Sequence, residues 1–274
     1  MSTAYPGLRV LSVSNQKGGV GKTTTAINLG TALAAAGERV LIVDLDPQGN
    51  ASTGVGIGKD QRPVTSFDVL VGSATMLQAA VQTRVANLSV VPGNDDLSGF
   101  DAEAMANNQR AYILRDAITR FAAEQRLVVG EKPFSYVLID CPPSLNLLTL
   151  NAMTAAQAVL VPVQCEFFAL EGISQLKETI DQIKATVNPD LEIQGVVLTM
   201  HDARTAFSRE VASNVRAFFG AKVYETVIPR NVRVAEAPSF GKPILLYDAD
   251  CPGSIAYIRL ATEVLDRERQ IKAA

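Results

Sequence analysis

Short apolar runs alternate with longer segments of helical periodicity along most of the chain. The apolar runs predict buried strands at residues 8–14, 39–44, 88–91, 134–139, 158–163, 193–200 and 222–227. Between them, apolar residues three or four positions apart predict helices at residues 22–36, 67–70, 76–81, 101–126, 145–155, 169–186, 207–219 and 254–270. Strands that alternate with helices indicate βαβ units and a mostly parallel, twisted sheet with helices on both faces.

Three segments fit this alternation less well. Residues 1–7 are expected to form a loose lead-in, residues 51–85 contain a glycine-rich stretch that indicates flexibility, and residues 228–246 contain three prolines and are predicted to be irregular. No repeat, low-complexity tract or linker divides the sequence, and its length suits one large α/β domain. We therefore predict a single domain over residues 1–274.

A glycine-rich stretch lies between the first predicted strand and the first predicted helix. Residues 15–25 read Asn-Gln-Lys-Gly-Gly-Val-Gly-Lys-Thr-Thr-Thr. Glycines let backbone N–H groups converge on phosphate oxygens, and the N-terminus of the following helix adds N–H groups and partial positive charge. Lys22 is predicted to contact the β- and γ-phosphates of a nucleotide, and the Thr23 hydroxyl to bind Mg²⁺.

The loop departs from the usual phosphate-binding pattern, G-x-x-x-x-G-K-[ST]. Gln16 stands where that pattern has its leading glycine, and Lys17 adds a second lysine. Because the stretch follows a strand and precedes a helix, we interpret it as a Walker A loop of the deviant form. The fold class is then a single-domain P-loop NTPase.

Acidic residues follow two of the predicted buried strands. Asp44 and Asp46 lie at the end of one strand, and Asp140 closes another before two prolines. Ligands of α/β sheets bind at the carboxyl ends of the strands, although an isolated aspartate there can also cap a helix or a turn. Asp140 fits the Walker B position, which holds Mg²⁺ through water, and either Asp44 or Asp46 is a candidate to polarise an attacking water.

The net charge of −3 hides an uneven distribution of charge. Residues 201–242 hold seven basic and four acidic side chains, so the rest of the chain is more acidic than the average. A basic face for nucleic acid and an ordinary solvated surface both remain open on composition alone.

Several other site classes fit the sequence poorly. The loop lacks the G-x-G-x-x-G spacing of a dinucleotide-binding fold, although Asp44 stands where such folds place a ribose-binding acid. His201 is the one histidine, which disfavours Ser-His-Asp and Cys-His hydrolases and zinc clusters. Three well-separated cysteines indicate reduced thiols in the cytosol, and no apolar run reaches 18 residues.

Further stretches resemble the ParA/MinD family of P-loop ATPases. Besides residues 17–24, residues 44–50 resemble the switch I of that family and residues 140–144 its switch II. Residues 198–205 and 228–243 are similar to its chromosomal, ParA/Soj-type members and separate that branch from the others.

The resemblance implies a function in DNA segregation. ATP closes two subunits into a homodimer that binds nucleoid DNA nonspecifically, Arg204 and Arg233 matching the arginines that contact DNA. A ParB-type protein, through its N-terminal peptide, triggers hydrolysis and release and so moves the chromosome origin. The protein is then cytoplasmic and nucleoid-associated, without a membrane partner. Only 14 residues precede Asn15, so no N-terminal helix-turn-helix is expected.

The resemblance also implies a role for individual residues, with ATP and Mg²⁺ as cofactors. Lys17 reaches the nucleotide of the partner subunit and acts with Lys22 in catalysis, while Asp46 activates the hydrolytic water. Thr23, Asp44 and Asp140 lie at the metal. The residues that match the nucleotide site, including its adenine pocket, are Lys17, Gly18, Gly19, Val20, Gly21, Lys22, Thr23, Thr24, Met200, Pro229 and Arg230.

Related functions remain as alternatives. A ParA-like ATPase that positions a protein cargo would have the same chemistry. A MinD-like, membrane-cycling role needs an amphipathic C-terminal helix, and residues 266–274 contain Ile271 as their single large apolar residue. A nitrogenase-type reductase needs paired cysteines, which Cys141 and Cys165 do not match, and no substrate pocket of a metabolic ligase is identified.

Overall fold

One eight-stranded sheet runs through the computed structural model, which describes residues 5–128, 130, 132–166 and 169–273. The strands are β1 (Arg9–Val13), β2 (Val40–Asp44), β3 (Val81–Gln82), β4 (Leu88–Val91), β5 (Tyr136–Asp140), β6 (Ala158–Gln164), β7 (Glu192–His201) and β8 (Val223–Pro229). Their spatial order is β3-β4-β2-β5-β1-β6-β7-β8. All pairs are parallel except β3 with β4.

Helices cover both faces of this sheet. They are α1 (Lys22–Ala35), α2 (Asn50–Gly54), α3 (Ser66–Leu70), α4 (Met76–Ala79), α5 (Phe100–Glu103), α6 (Ile113–Glu124), α7 (Leu147–Ala155), α8 (Ala169–Thr186), α9 (Ala206–Phe219), α10 (Val232–Glu236), α11 (Ile244–Tyr247) and α12 (Pro252–Ala273). The predicted α/β class and mostly parallel sheet are confirmed.

The central strands are apolar on both faces because both faces are buried. Leu138 of β5 packs in the cluster that holds α1 and α12, whereas its neighbours Val137 and Ile139 pack with α6 and α7. A third cluster joins β6 and β7 to α8 and α9. Near-continuous apolar runs are what parallel strands between two helical layers require, and here they bring the ends of β1, β2 and β5 side by side.

The helix predicted over residues 101–126 is wrong in its middle. The chain instead forms α5, a short 3-10 turn and α6. Between them Asn107 accepts a hydrogen bond from the backbone of Gln109 through its side chain, at 2.8 Å. Such local side-chain bonds compete with the helix, and α6 begins where the Leu114 N–H donates to Asn151 of α7.

Residues 51–85 hold more regular structure than predicted. The helices predicted at residues 67–70 and 76–81 are present as α3 and α4, whereas α2 and β3 were not predicted. The second helix ends at Ala79 because Val81 and Gln82 form β3. The segment predicted as irregular, residues 228–246, contains α10 and most of α11. Tyr5, within the expected loose lead-in, is buried, and residues 1–4 lie outside the described residues.

Candidate nucleotide-binding site

The loop between β1 and α1 is shaped by two glycines in the left-handed region. Gly19 has φ +75° and Gly21 has φ +90°, values that side chains other than glycine rarely adopt. Gly21 is the N-cap of α1, and no side chain caps the N–H groups there. The 14-residue helix α1 therefore begins directly after a glycine turn. A helix N-terminus in this position suits the binding of an anion.

Lys22 closes this loop from inside. Its side chain is buried, and its ammonium donates a hydrogen bond to the carbonyl oxygen of Lys17 at 2.9 Å. Burial lowers the pKa of Lys22, and the nearby Asp140, Cys141 and Asp46 act in the opposite direction. The ammonium thus lies between the loop backbone and the acidic end of the sheet.

The two unusual residues of the loop attach it to the neighbouring layer. Gln16 donates from its side chain to the hydroxyl of Thr179 on α8, at 2.9 Å. The half-buried Lys17 forms an ion pair with Glu166, which follows β6. Asn15 accepts from the Lys17 N–H and donates to the carbonyl of Pro162, at 3.0 and 2.8 Å. Gln16, at the position where the usual pattern has a glycine, therefore connects the loop to α8 by a hydrogen bond.

The acidic residues meet at the carboxyl ends of β2 and β5. Asp44 and Asp140 are register partners on these adjacent strands, and both are fully buried. Asp44 accepts three hydrogen bonds: two from Ser52, through its N–H at 2.8 Å and its hydroxyl at 2.6 Å, and one from the Asp46 N–H at 3.2 Å. Burial raises the pKa of Asp44, and these bonds oppose the shift.

Asp140 lacks such support. Neither of its carboxylate oxygens makes a hydrogen bond of ordinary geometry within the described residues. Burial first, and then the charge of Asp44, raise its pKa well above the usual range, while nearby Thr23 and Lys22 lower it. An orphaned buried carboxylate needs a cation or a proton.

This environment fits Mg²⁺, which prefers oxygen ligands and keeps waters and phosphate oxygens in its shell. Asp140 and the Thr23 hydroxyl are the groups that would hold it. Within the described ranges no three His, Cys, Asp or Glu side chains group into a metal cage. Asp44, whose oxygens already accept from Ser52 and Asp46, is better suited to an indirect position.

Asp46 lies in a turn at the surface side of the site. It is half-buried, and its carboxylate accepts from the Gln48 N–H at 3.0 Å. The Gly49 N–H donates to the Asp46 carbonyl at 2.8 Å and closes the turn. Of the acids predicted for catalysis, Asp46 is therefore more accessible than Asp44.

The residues predicted for an adenine pocket adjoin the loop through β7. Thr199 donates from its hydroxyl to the Val20 carbonyl at 2.8 Å, and the next residue, Met200, has a left-handed φ of +50°. Pro229 pairs with His201, whose carbonyl accepts from the Arg230 N–H at 3.0 Å. Met200, Pro229 and Arg230 thus lie together at the carboxyl ends of β7 and β8, and Thr199 joins this end of β7 to the loop.

The two arginines predicted to contact DNA both carry acidic partners. Arg204 is 87% exposed and donates two side-chain hydrogen bonds to Asp202, at 2.9 and 2.8 Å. Arg233 pairs with Glu236 at 3.2 Å and with Asp248 at 3.6 Å. Arg204 lowers the pKa of Asp202. Sequence reasoning missed these partners, although Asp202 stands two positions before Arg204.

Other polar residues of the site also escaped the sequence reasoning. Ser52 holds Asp44, and Glu166 holds Lys17. Ser52 follows the segment that resembles switch I, and Glu166 follows a predicted strand, but neither position has a chemical signature of its own.

Comparison with known proteins fits this geometry. A family model described as an AAA domain matches residues 8–193. The chain is 62% identical over 269 residues to the chromosome partitioning protein ParA of Caulobacter vibrioides, covering 97% of this chain and 98% of that protein. The chain belongs to the ParA/Soj family of partitioning ATPases.

Other members of the ParA/Soj family and a solved structure agree. The sporulation initiation inhibitor protein Soj of Bacillus subtilis is 48% identical over 256 residues, covering 93% of this chain and 98% of that protein. A cobyrinic acid a,c-diamide synthase from Mycobacterium smegmatis, crystallised with bound ADP and magnesium, has a TM-score of 0.81 and 37% identity, with 96% of each chain covered. The predicted ParA/Soj resemblance is confirmed.

Proposed function

We propose that this ParA/Soj family member hydrolyses ATP with Mg²⁺ and uses the reaction to segregate DNA. The observation that carries the proposal is the orphaned carboxylate of Asp140, which is buried near Lys22 at the base of a glycine loop. A nucleotide phosphate with its metal ion is a ligand that satisfies all three groups at once.

Phosphoryl transfer needs positioning and charge and does not need a covalent intermediate. In the proposal, Lys22 and the N–H groups of α1 bind the phosphates, and Thr23 and Asp140 hold Mg²⁺. When bound, the ion neutralises the charge that develops on the phosphate oxygens. Asp46 orients the attacking water, since its carboxylate is the accessible one of the pair with Asp44.

The exposed glycines of the same loop support ATP-dependent homodimerisation as part of this proposal. Gly18 and Gly19 are exposed, so a second subunit can approach the loop closely without meeting a side chain. In the dimer Lys17 leaves Glu166 and reaches the nucleotide of the partner subunit, with Met200, Pro229 and Arg230 around the adenine.

The dimer binds nucleoid DNA without reading its sequence, and Arg204 and Arg233 supply phosphate contacts. Both side chains are more than half exposed, which supports this role. Contacts of this kind depend steeply on salt and carry no base specificity. A ParB-type protein, through its N-terminal peptide, stimulates hydrolysis, releases the DNA and so moves the chromosome origin in the cytoplasm.

The C-terminal helix favours this role over a membrane-cycling one. Glu268 of α12 pairs with Arg9 of β1 at 2.8 Å, and Arg267 donates to the Val223 carbonyl at 3.0 Å. This part of α12 is therefore bound to β1 and β8 of the same chain. Among the described residues no helix is long and apolar enough to cross a bilayer.

A protein cargo in place of the chromosome, or a metabolic ligation, would use the same nucleotide site. The structural similarity to a protein named as a cobyrinic acid a,c-diamide synthase is the observation that supports a metabolic ligation. The 62% identity to a chromosome partitioning protein favours segregation.

Steady-state ATP hydrolysis, measured alone, with nonspecific DNA, and with DNA plus an N-terminal peptide of a ParB-type protein, tests the proposal. We expect weak basal turnover that rises severalfold when both DNA and peptide are present. DNA retention on a filter should require ATP. Turnover that neither DNA nor peptide changes, with no ATP-dependent DNA retention, would refute segregation and leave the ligase reading.

A further inference from the structure

A buried arginine lies beneath the turn that carries Asp46. Arg62 is 8% exposed and follows a 3-10 turn, Lys59–Gln61. Its guanidinium donates five hydrogen bonds within 3.2 Å, to the carbonyls of Ile57 (twice), Gly49 and Gly93 and to the hydroxyl of Thr53. Nε and Nη1 each make one of these contacts, and Nη2 shares its two N–H groups among three oxygens.

These acceptors belong to two separate stretches of the chain, residues 49–57 and Gly93. Gly49 ends the turn after β2, Thr53 and Ile57 lie in α2 and just after it, and Gly93 follows β4. All four acceptor atoms are neutral oxygens. Burial lowers the pKa of Arg62, while the charges of Asp44 and Asp95 oppose the shift. Burial of a cation on neutral oxygens is costly, so its presence indicates that this backbone must be held.

Gly93 connects Arg62 to the segment that carries Asp44 and Asp46. A Cβ at this glycine would lie 2.9 Å from the carbonyl oxygens of both Asp44 and Asp46. Its N–H donates to the Ser52 hydroxyl at 3.0 Å, and that hydroxyl donates to Asp44. The backbone of Asp44 and Asp46 therefore rests directly on the residue whose carbonyl Arg62 binds.

Gly49 fixes the other side of the same turn. Its φ of +61° is left-handed, and a Cβ there would lie 2.1 Å from the Nη1 atom of Arg62. The Gly49 N–H closes the turn on the Asp46 carbonyl, while its own carbonyl accepts from Arg62. The guanidinium thus binds the carbonyls of Gly49 and Gly93, the two glycines that lie against the Asp46 carbonyl.

We propose that Arg62 is a positioning residue for ATP hydrolysis. It holds the turn that carries Asp46 against the segment that follows β4. The Asp46 carboxylate is thereby kept in position to orient the attacking water. The inference rests on the proposed function, because it assigns no contact between Arg62 and the nucleotide. Displacement of a catalytic group by about 1 Å can cost about a hundredfold in rate.

The surroundings of Arg62 allow a direct chemical test. The side chain lines a surface cleft of about 240 Å³ together with Pro47, Lys59, Asn94, Asp95 and Asp96. Truncation to alanine would extend this open cleft to the four acceptor oxygens. A guanidinium ion from solution could then enter and restore the missing donors.

The experiment compares Arg62→Ala with the wild-type protein in DNA-stimulated ATP hydrolysis. We expect kcat to fall about tenfold to a hundredfold, with KM for ATP changed less than about twofold, since phosphate binding does not involve this cluster. Millimolar guanidinium, far below the molar concentrations that unfold proteins, should restore much of the kcat. Sodium chloride at equal ionic strength should not.

Two controls isolate the effect. Lys59→Ala removes an exposed cation from the same cleft, paired with Asp95 at 3.2 Å, and should retain wild-type kcat. Asp46→Ala should be slow and should not respond to guanidinium. If Arg62→Ala does not fold, Arg62→Lys carries the test, because one ammonium with three N–H groups cannot serve four separate acceptors. It should lower kcat at unchanged KM.

Three results would overturn the inference. They are a wild-type kcat in Arg62→Ala or its lysine replacement, a loss of kcat that guanidinium does not relieve, or a parallel loss of nucleotide binding and thermal stability. The last would make Arg62 a structural residue only. Absence of ATP hydrolysis in the wild-type protein would refute the proposed function instead, so the two failures are distinguishable.

Discussion

Asp44 and Asp140 lie abreast on neighbouring parallel strands, with both carboxylates fully buried. The two are not equivalent. Ser52 and the Asp46 N–H satisfy Asp44, whereas the oxygens of Asp140 make no hydrogen bond of ordinary geometry within the described residues, and only Thr23 and Lys22 nearby favour its charged form. The end of the sheet therefore stores an unfavourable charge that a bound cation would relieve.

Asp140→Asn should consequently stabilise the protein in magnesium-free buffer. An amide of the same shape removes the buried charge, and relief of about 1–2 kcal/mol would raise Tm by a few degrees. The variant should also lose the rise in Tm that Mg²⁺ with ATP produces in the wild type. Thermal denaturation with and without both ligands measures this.

Asp190→Asn, at an exposed position, is the matched control and should behave as the wild type. A lower Tm for Asp140→Asn in magnesium-free buffer would show that Asp140 is not an uncompensated charge.

The two lysines of the loop should respond differently to truncation. Lys22 is buried within the loop, so Lys22→Ala should abolish nucleotide binding. Lys17 points to Glu166 instead, and Lys17→Ala should bind nucleotide with nearly wild-type affinity but fail to dimerise with ATP. Titration of a fluorescent ATP analogue and size-exclusion chromatography separate the two effects.

Lys59→Ala serves as the control for lost positive charge, since it is exposed and distant in sequence from the loop. An ATP-induced dimer of normal affinity in Lys22→Ala would contradict the loop assignment. Loss of nucleotide binding in Lys17→Ala would place its role within one subunit.

Asp46→Ala should separate nucleotide binding from hydrolysis. Its carboxylate accepts one hydrogen bond from Gln48 in a half-buried turn, so the fold should tolerate its loss. We expect ATP binding to persist and turnover to fall about a hundredfold or more, which traps the dimer on DNA. Single-turnover hydrolysis and DNA dissociation are the measurements. Normal turnover would move the role to Asp44.

The loop and the acids at strand ends could be predicted from sequence because both signals are local. Glycines at positions 19 and 21 and the aspartates that follow apolar runs are read within a few residues. The parallel sheet then brings separate strand ends together, because all strands of a βαβ series end at one edge.

The hydrogen bonds that hold the loop and the acidic residues in place could not be predicted in the same way. Thr199 contacts Val20 across 179 positions, and Arg62 contacts Gly93 across 31. Hydrogen bonds over such separations depend on the packed fold. Arg62 stands in no recognisable pattern, and the Pro-Gly pair at Gly93 indicates only the end of a strand. The error in the helix predicted over residues 101–126 was local, because the Asn107 side chain competes with the helix.

Arg233→Glu should weaken DNA binding while ATP-driven dimerisation persists. The side chain is exposed and lies outside the loop, so the charge reversal should not disturb nucleotide binding. Loss of one phosphate contact should lower the slope of log K against log salt by about 1 per subunit. Arg120→Glu, on the exposed side of α6, is the control with the same charge change. Undiminished DNA retention at moderate salt would refute the basic face.

Asp202→Asn should act in the opposite direction. Asp202 accepts from both the backbone N–H and the guanidinium of Arg204, so a DNA phosphate must compete with this carboxylate for the arginine. An asparagine can still accept from the backbone N–H, which preserves the turn, but it removes the competing charge. Because exposed ion pairs are weak, we expect DNA affinity to rise only about twofold to fivefold.

The gain should require Arg204. In Asp202→Asn combined with Arg204→Ala the increase in affinity should vanish, whereas an Asp202→Asn effect that survives without Arg204 would reflect only the change in net charge. Binding measured at several salt concentrations separates these cases, because a released arginine adds a phosphate contact and steepens the salt dependence.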